Sequence, residues 1–340
     1  MSKKLSAITA ALVIVASAAT LTVASHAAAA DVTIKFAHNG NTNPNDPQNV
    51  GIDAFKKMVE ERSGGDIKVN IYPAGQLGDA RTIVESVQMG SLEMGDVENG
   101  PMGRFVPEAM LWDLPFIFRD IDHAHAVLDG DIGKQVQKAY LDVGIRHLAY
   151  NDGGFRYFTN DERPIEKMAD LEGLKVRVME SEVMINTVNA FGASAVPMSF
   201  GELYSSLQQG VVDGQENPMN LIYSQRFYEV QKYLSLSGHF YYPRQYIASE
   251  SWWQGLSDGH KSIIATAARE ASDIQRAALI SYEQKIQIVL EEKGMLINKV
   301  DKTAFIEVAK EKIYPASYAA IGEGDIDKAK KLVQGILSTQ

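Results

Sequence analysis

The segment from Ser257 to Lys293 contains no proline and stops at Gly294. Ser257 is a good N-cap and Gly294 a good terminator, so the pattern predicts one uninterrupted helix. At 1.5 Å per residue such a helix spans roughly 55 Å, more than one ordinary domain is wide. Ile263, Ala267, Ile274, Ala278, Ile286 and Val289 read as its apolar side. A helix of this length needs packed structure along both of its ends. It therefore predicts two units with the helix bridging them.

The remaining sequence supplies material for both units. Val32 to Ala37 and Ile67 to Tyr72 read as strands, and residues 49–62 carry Ile52, Phe55, Met58 and Val59 at helical spacing. A helix from Ala80 to Met89 and a strand from Ser91 to Val97 complete a β-α-β-α-β alternation, the mark of an α/β domain with a largely parallel sheet. The alternation resumes later. Strands are expected at 145–150, 155–159 and 174–178, helices at 181–191 and 200–209, and extended chain at 230–236 and 245–250. No linker rich in Pro or Ser separates the halves, so the chain must cross between them more than once.

The first 30 residues stand apart. Lys3 and Lys4 precede an apolar run from Leu5 to Val23, and Ala28-Ala29-Ala30 forms a small-residue exit before Asp31. This is the pattern of a secretory signal peptide cleaved after Ala30, and it places the mature protein in the periplasm. Removing those residues from a chain of 340 leaves 310, enough for two domains. The net charge is −10, and taking away the two lysines leaves −12. That acidity argues against nucleic acid and anionic membrane surfaces as partners. There is no cysteine, so neither disulfides nor a lipidated cysteine are available.

The chemistry concentrates in two stretches. Pro197 to Pro218 reads as a turn, an amphipathic helix and a short strand ending in a polar Gly214-Gln-Glu-Asn-Pro218 loop, placed where α/β folds keep their ligands. Upstream, Arg177 interrupts the apolar strand Leu174-Lys-Val-Arg-Val178. Arginine cannot shed its charge, so it is costly inside a strand unless something anionic meets it. Arg156 follows Gly153-Gly154-Phe155, where small residues permit close approach. Together these stretches predict an anion-binding cleft with amide-rich walls.

Four motifs, Tyr72-Pro-Ala-Gly-Gln-Leu-Gly-Asp79, Leu174-Lys-Val-Arg-Val178, Val212-Asp-Gly-Gln-Glu-Asn-Pro218 and Phe227-Tyr-Glu-Val-Gln-Lys-Tyr233, follow one another across the mature chain. In order and spacing the sequence resembles the solute-binding component of tripartite ATP-independent periplasmic (TRAP) transporters, the DctP-like family. The resemblance implies a periplasmic-binding-protein-like α/β fold: two α/β domains, hinge strands and a long domain-spanning helix closing over an organic acid. It divides the chain into 31–153 plus about 243–282, and 154–242 plus about 283–340. It assigns the acid's carboxylate to Arg177, a second pocket arginine to Arg156 and an amide contact to Asn217, with Asn39, Asp79, Glu98 and Phe200 facing the cleft. Gly238 to Arg244, which includes Tyr242 and Arg244, is where ligand-specific variation is expected. The implied partners are a small organic acid and the membrane permease subunits, with the receptor itself a monomer.

The same residues admit other readings. Arg177 could pair with Glu180, Asn217 could cap the helix begun by Pro218, and His123-Ala-His125 could suggest a metal. The histidines' acidic neighbours fit a solvated helix start better, and no metal or cofactor is expected. No Gly-x-Ser-x-Gly, Walker or His-Glu-x-x-His pattern is present, which disfavours an enzyme using Asp96 and Glu98 as acid and base. The choice of acid turns on the far wall. Asn39, Asp79, Asp96, Glu98 and Asn99 would accept hydrogen bonds from hydroxyls and repel a second carboxylate, whereas His38, Arg81 and Arg244 could make that wall cationic. The expected ligand is a monocarboxylate sugar acid such as a hexuronate, with a C4-dicarboxylate or sialic acid as alternatives.

Overall fold

The computed structural model describes residues 31–340; the expected signal peptide lies outside the described residues. Among the described residues nine strands form one sheet: β1 (Val32–His38), β2 (Ile67–Tyr72), β3 (Met94–Glu98), β4 (Ile145–Asn160), β5 (Lys175–Val178), β6 (Ser194–Pro197), β7 (Gly214–Asn217), β8 (Tyr233–Ser249) and β9 (Leu296–Lys299). Their order is β2-β1-β3-β8-β4-β7-β5-β6, with β9 beside β8. The three strands at each end run parallel to one another; β8 and β4, which join them, are antiparallel to each other, to β3 and to β7, while β9 lies parallel to β8. The α/β expectation holds in both halves.

The joining strands differ from expectation. Segments 145–150 and 155–159 are one strand of 16 residues, and most of 230–236 and 245–250 falls in one strand of 17, Tyr233–Ser249. At about 3.3 Å per residue each reaches roughly 50 Å, through both halves. Register shifts at His147/Ala149, Asp152/Phe155 and Arg156/Phe158 keep β4 paired despite Gly153 and Gly154. Such bulges bend a strand and add twist. Gly154 takes φ +92°, where a side chain is strained, and a Cβ on Gly153 would collide with the Tyr242 ring. The close approach that these glycines permit is made by Tyr242 and Glu283.

The long helix is Asp258–Glu292, and the Ser257 side chain caps it by accepting from the His260 amide. Ile264, Ala267 and Ala271 enter the core formed by Ile34, Phe36, Ile52 and Phe55 in the first half. Ile286 and Leu290 enter the core of Leu203, Ile222 and Phe227 in the second. One helix thus serves both units. Its inward face is rotated from the expected one: Ile274 is 41% exposed, while the polar Gln275 and Arg276 are buried. They point inward because they bond to β4. Gln275 exchanges hydrogen bonds with the Asp152 backbone, and Arg276 donates to the Tyr150 carbonyl.

After β9 the chain contributes Phe305 to the second half's core, stacked edge-on against Phe191 with ring centroids 4.9 Å apart. It then changes sides. Ala309, Ile313, Tyr314, Leu332 and Ile336 pack in the cluster that holds Trp112 and Val136, on the first half. That cluster also holds Val183 of the second unit, to which the resemblance gave all of 283–340.

Candidate functional site

β7 brings the site's charges together, because it lies between β4, which carries Arg156, and β5, which carries Arg177. The Gly214 to Asn217 run expected as a polar loop is this buried strand. It is tolerated inside the sheet because its side chains find partners. Glu216 takes up Arg156, whose Nη2 lies 2.8 Å from Oε1 and whose Nε also donates to the carboxylate. Gln215 donates to Thr159 at 2.8 Å, and Asn217 donates to Gln215. Pro218 occupies the cap position of the next helix without a side-chain bond, so Asn217 is not its cap.

The two arginines are placed differently. Arg156 is wholly buried, with its guanidinium 4.5 Å from the Tyr242 ring centroid. Burial opposes its charge, but the adjacent Glu216 outweighs that and raises its pKa. Arg177 is 2% exposed and has no carboxylate partner; Nε and Nη2 both donate to the Met198 carbonyl, at 3.0 and 2.7 Å. Its Nη1 is buried with no hydrogen-bond partner. Burial, and then repulsion from Arg156, pull its pKa down to about 10. A buried cation held this way is stabilised by any anion that reaches it. The pairing with Glu180 considered above is not made.

Arg177 lines a cavity with Asn39, Asp79, Arg81, Glu98, Glu180 and Phe200. The first-half residues come from the end of β1, the end of β3 and the start of the helix Ala80–Gln88, which Asp79 caps through the Thr82 amide at 2.8 Å. Those from the second half come from β5 and the turn after β6. The site therefore lies across the two halves. Asn39 donates to Glu98 at 2.8 Å, and the Arg177 guanidinium lies 5.9 Å from the Phe200 ring centroid. The cavity measures about 20 Å³, room for one water molecule, so an organic acid can enter only when the halves or these side chains separate. Wider grooves exist; in one of them two of the three arginines are engaged, Arg146 by Glu250 and Arg276 by Asp129, and the third, Arg269, contacts only the Thr266 hydroxyl.

Of the expected residues, Arg177, Asn39, Asp79, Glu98 and Phe200 meet at this cavity. Arg244, Asp96, His38 and Tyr242 form a buried layer outside its lining. Arg244 lies 3.3 Å from Asp96 and 3.4 Å from Glu98 and donates to the Tyr242 hydroxyl at 3.1 Å. That engagement answers the concern that Arg244 would make the far wall cationic. Burial, followed by Arg244, depresses the His38 pKa to about 3, so the ring is neutral. Asn99 spends its amide on the Ala109 carbonyl and on Asp113, each at 2.8 Å, and takes no place on the cavity wall. Met179, Glu180, Met198 and Ser199 do line it and were not anticipated; only their closeness in sequence to Arg177 and Phe200 hinted at it. Away from the site, His123 bonds to the Ile336 carbonyl and His125 to Asp152, which accounts for both rings.

Residues 36–319 match the family described as bacterial extracellular solute-binding protein, family 7. The chain belongs to that family. It is a receptor of the solute-binding kind, and this is the family of the TRAP transporter resemblance seen in its motifs. A TRAP periplasmic solute-binding protein from Polaromonas sp. JS666, bound to D-erythronate, is similar at 37% identity and a TM-score of 0.84, covering 91% of this chain and 99% of its own. One from Roseobacter denitrificans with bound β-D-glucuronate is similar at 33% and 0.86, covering 91% and 100%. One from Sulfurospirillum deleyianum with bound succinate is similar at 33% and 0.84, covering 92% and 100%. Among the described residues no helix is long and apolar enough to cross a membrane.

Proposed function

We propose that this receptor closes over a monocarboxylate sugar acid, such as a hexuronate, and presents it to a TRAP permease. The observation that carries this reading is the unpartnered Nη1 of Arg177, a buried cation with no carboxylate of its own, at a cavity whose opposite wall offers Asn39, Asp79 and Glu98. A planar guanidinium suits a carboxylate, and the opposite wall suits hydroxyls. The similar proteins bound to erythronate and glucuronate support the choice of acid. A C4-dicarboxylate is the second reading, favoured by Arg81 on the cavity wall and by the succinate-bound relative. Arg81 already pairs with Glu85 at 2.9 Å, which places it second.

In this proposal the protein works as an exported monomer, cleaved after Ala30, without catalysis. The moving bodies are 31–153 with about 243–282, and 154–242 with about 283–308; the helices from 309 onward travel with the first body. The test is competitive thermal shift on protein stripped of ligand by unfolding and refolding, against glucuronate, galacturonate, succinate, malate and sialic acid. Stabilisation by uronates supports the reading. Stabilisation by succinate or malate alone overturns the choice of acid, and no response to any organic acid overturns the receptor assignment for this class.

A further inference from the structure

Asn39 and Phe200 belong to two cavities at once. On one side lies the small one with Arg177; on the other is a groove of about 370 Å³, open to solvent and crossing between the halves. Its walls include Asn41, Thr42, Tyr204 and Gln225, with Phe227 at its base, and carry no carboxylate and no cation. The Tyr204 hydroxyl donates to Glu229 at 2.9 Å, and Glu229 pairs with Arg226, so no free positive charge stands behind this wall. The inner cavity is charged and narrow; the outer groove is neutral, roomy and rich in amide and hydroxyl groups. Arg177 lies 5.9 Å from the Phe200 ring, so a short carbon chain anchored there by its carboxylate reaches that ring.

We infer that the groove beyond Phe200 is the subsite for the distal end of the ligand, and that it selects an uncharged polyhydroxyl end over a second carboxylate. This rests on the acid-binding reading and deepens it. A distal hydroxyl can exchange hydrogen bonds with Gln225, Thr42 and Asn41, whereas a distal carboxylate would lose water without gaining a cation. Phe200 forms the passage between the two subsites.

The test pairs two six-carbon acids that differ only at the far end, D-gluconate and D-glucarate, titrated calorimetrically into stripped protein. Gluconate should bind at least about tenfold more tightly, the scale of one lost charge-assisted contact. Gln225→Lys puts a cation in the groove and should move the gluconate-to-glucarate ratio toward glucarate by about tenfold or more, since a paired charge replaces a neutral contact. Thr42→Lys, an exposed substitution on the other wall, should move it in the same direction and covers the case in which the first variant fails to fold. Equal binding of the two acids by the unmodified protein, or an unchanged ratio in folded Gln225→Lys and Thr42→Lys, overturns the subsite. Failure of every acid to bind would overturn both this inference and the function on which it rests.

Discussion

At the scale of single residues, the account turns on two arginines that look alike in sequence and differ in surroundings. Arg156 has its counter-charge within the protein; Arg177 has only a carbonyl. Arg177→Lys keeps a positive charge and loses the planar fork, so acid affinity should fall about tenfold or more while the fold survives. Unchanged affinity by calorimetry would remove Arg177 from its role. Glu216→Ala should act on stability instead, by about 3–5 kcal/mol, because it strands a wholly buried guanidinium. Chemical denaturation would measure this, and a loss under about 1 kcal/mol would show that Arg156 finds other partners. The need for a partner at Arg177 was legible in the sequence, since a charge that cannot be neutralised sat inside an apolar run; Arg156 was marked only by the small residues before it. Which of them was already paired was not legible, because the Arg156–Glu216 contact joins strands 60 residues apart.

At the scale of elements, the hinge strands β4 and β8 carry the unexpected features. The expected strands stop at 150 and 236 and resume at 155 and 245, yet the ladder continues between them through a bulge, and Asp152 stands opposite Pro243. A helix or strand pattern can be read locally, whereas a long strand that pairs across a bulge depends on its neighbours. The polar run on β7 misled for a similar reason: its partners come from other strands. The long helix was read correctly in extent, but its buried side follows its bonds to β4 rather than its apolar periodicity. Gly154→Ala should cost about 1–3 kcal/mol, since the residue has φ +92° and a Cβ there would meet Glu283. A melting temperature equal to that of the unmodified protein would contradict this. Glu283 itself is pushed up to about 7, first by burial and then by Asp152. Its folded pKa lies above its ordinary value of 4.5, so the folded state holds the extra proton and stability falls as pH rises from about 4.5 to 7. Glu283→Gln cannot ionise and should lose that part of the slope, of the order of 3 kcal/mol across the window. Melting curves between about pH 5 and pH 8 with equal slopes for the two proteins would refute the assignment.

At the scale of the whole molecule, function requires the two halves to separate and close. The cavity of about 20 Å³ is too small to admit an acid unless the halves or the lining side chains separate. A ligand can shift such an equilibrium only by its preference for one state, and moving it from 1:99 to 99:1 takes about 5.5 kcal/mol. On the proposed reading, a carboxylate on Arg177, with hydroxyls on Asn39 and Glu98, would make contacts from both halves only when they are closed, and that would be the source of the preference. The two-unit architecture was legible from the long helix and the repeated alternation. The cluster that the C-terminal helices enter, with Trp112 of one half and Val183 of the other, was not, because their apolar faces would suit either half. The most direct measurement of the central claim is calorimetric titration of stripped protein with D-glucuronate, run in parallel on Arg177→Ala. The account predicts one acid per chain for the unmodified protein and no measurable binding for the folded variant. Equal binding by the two proteins would contradict it.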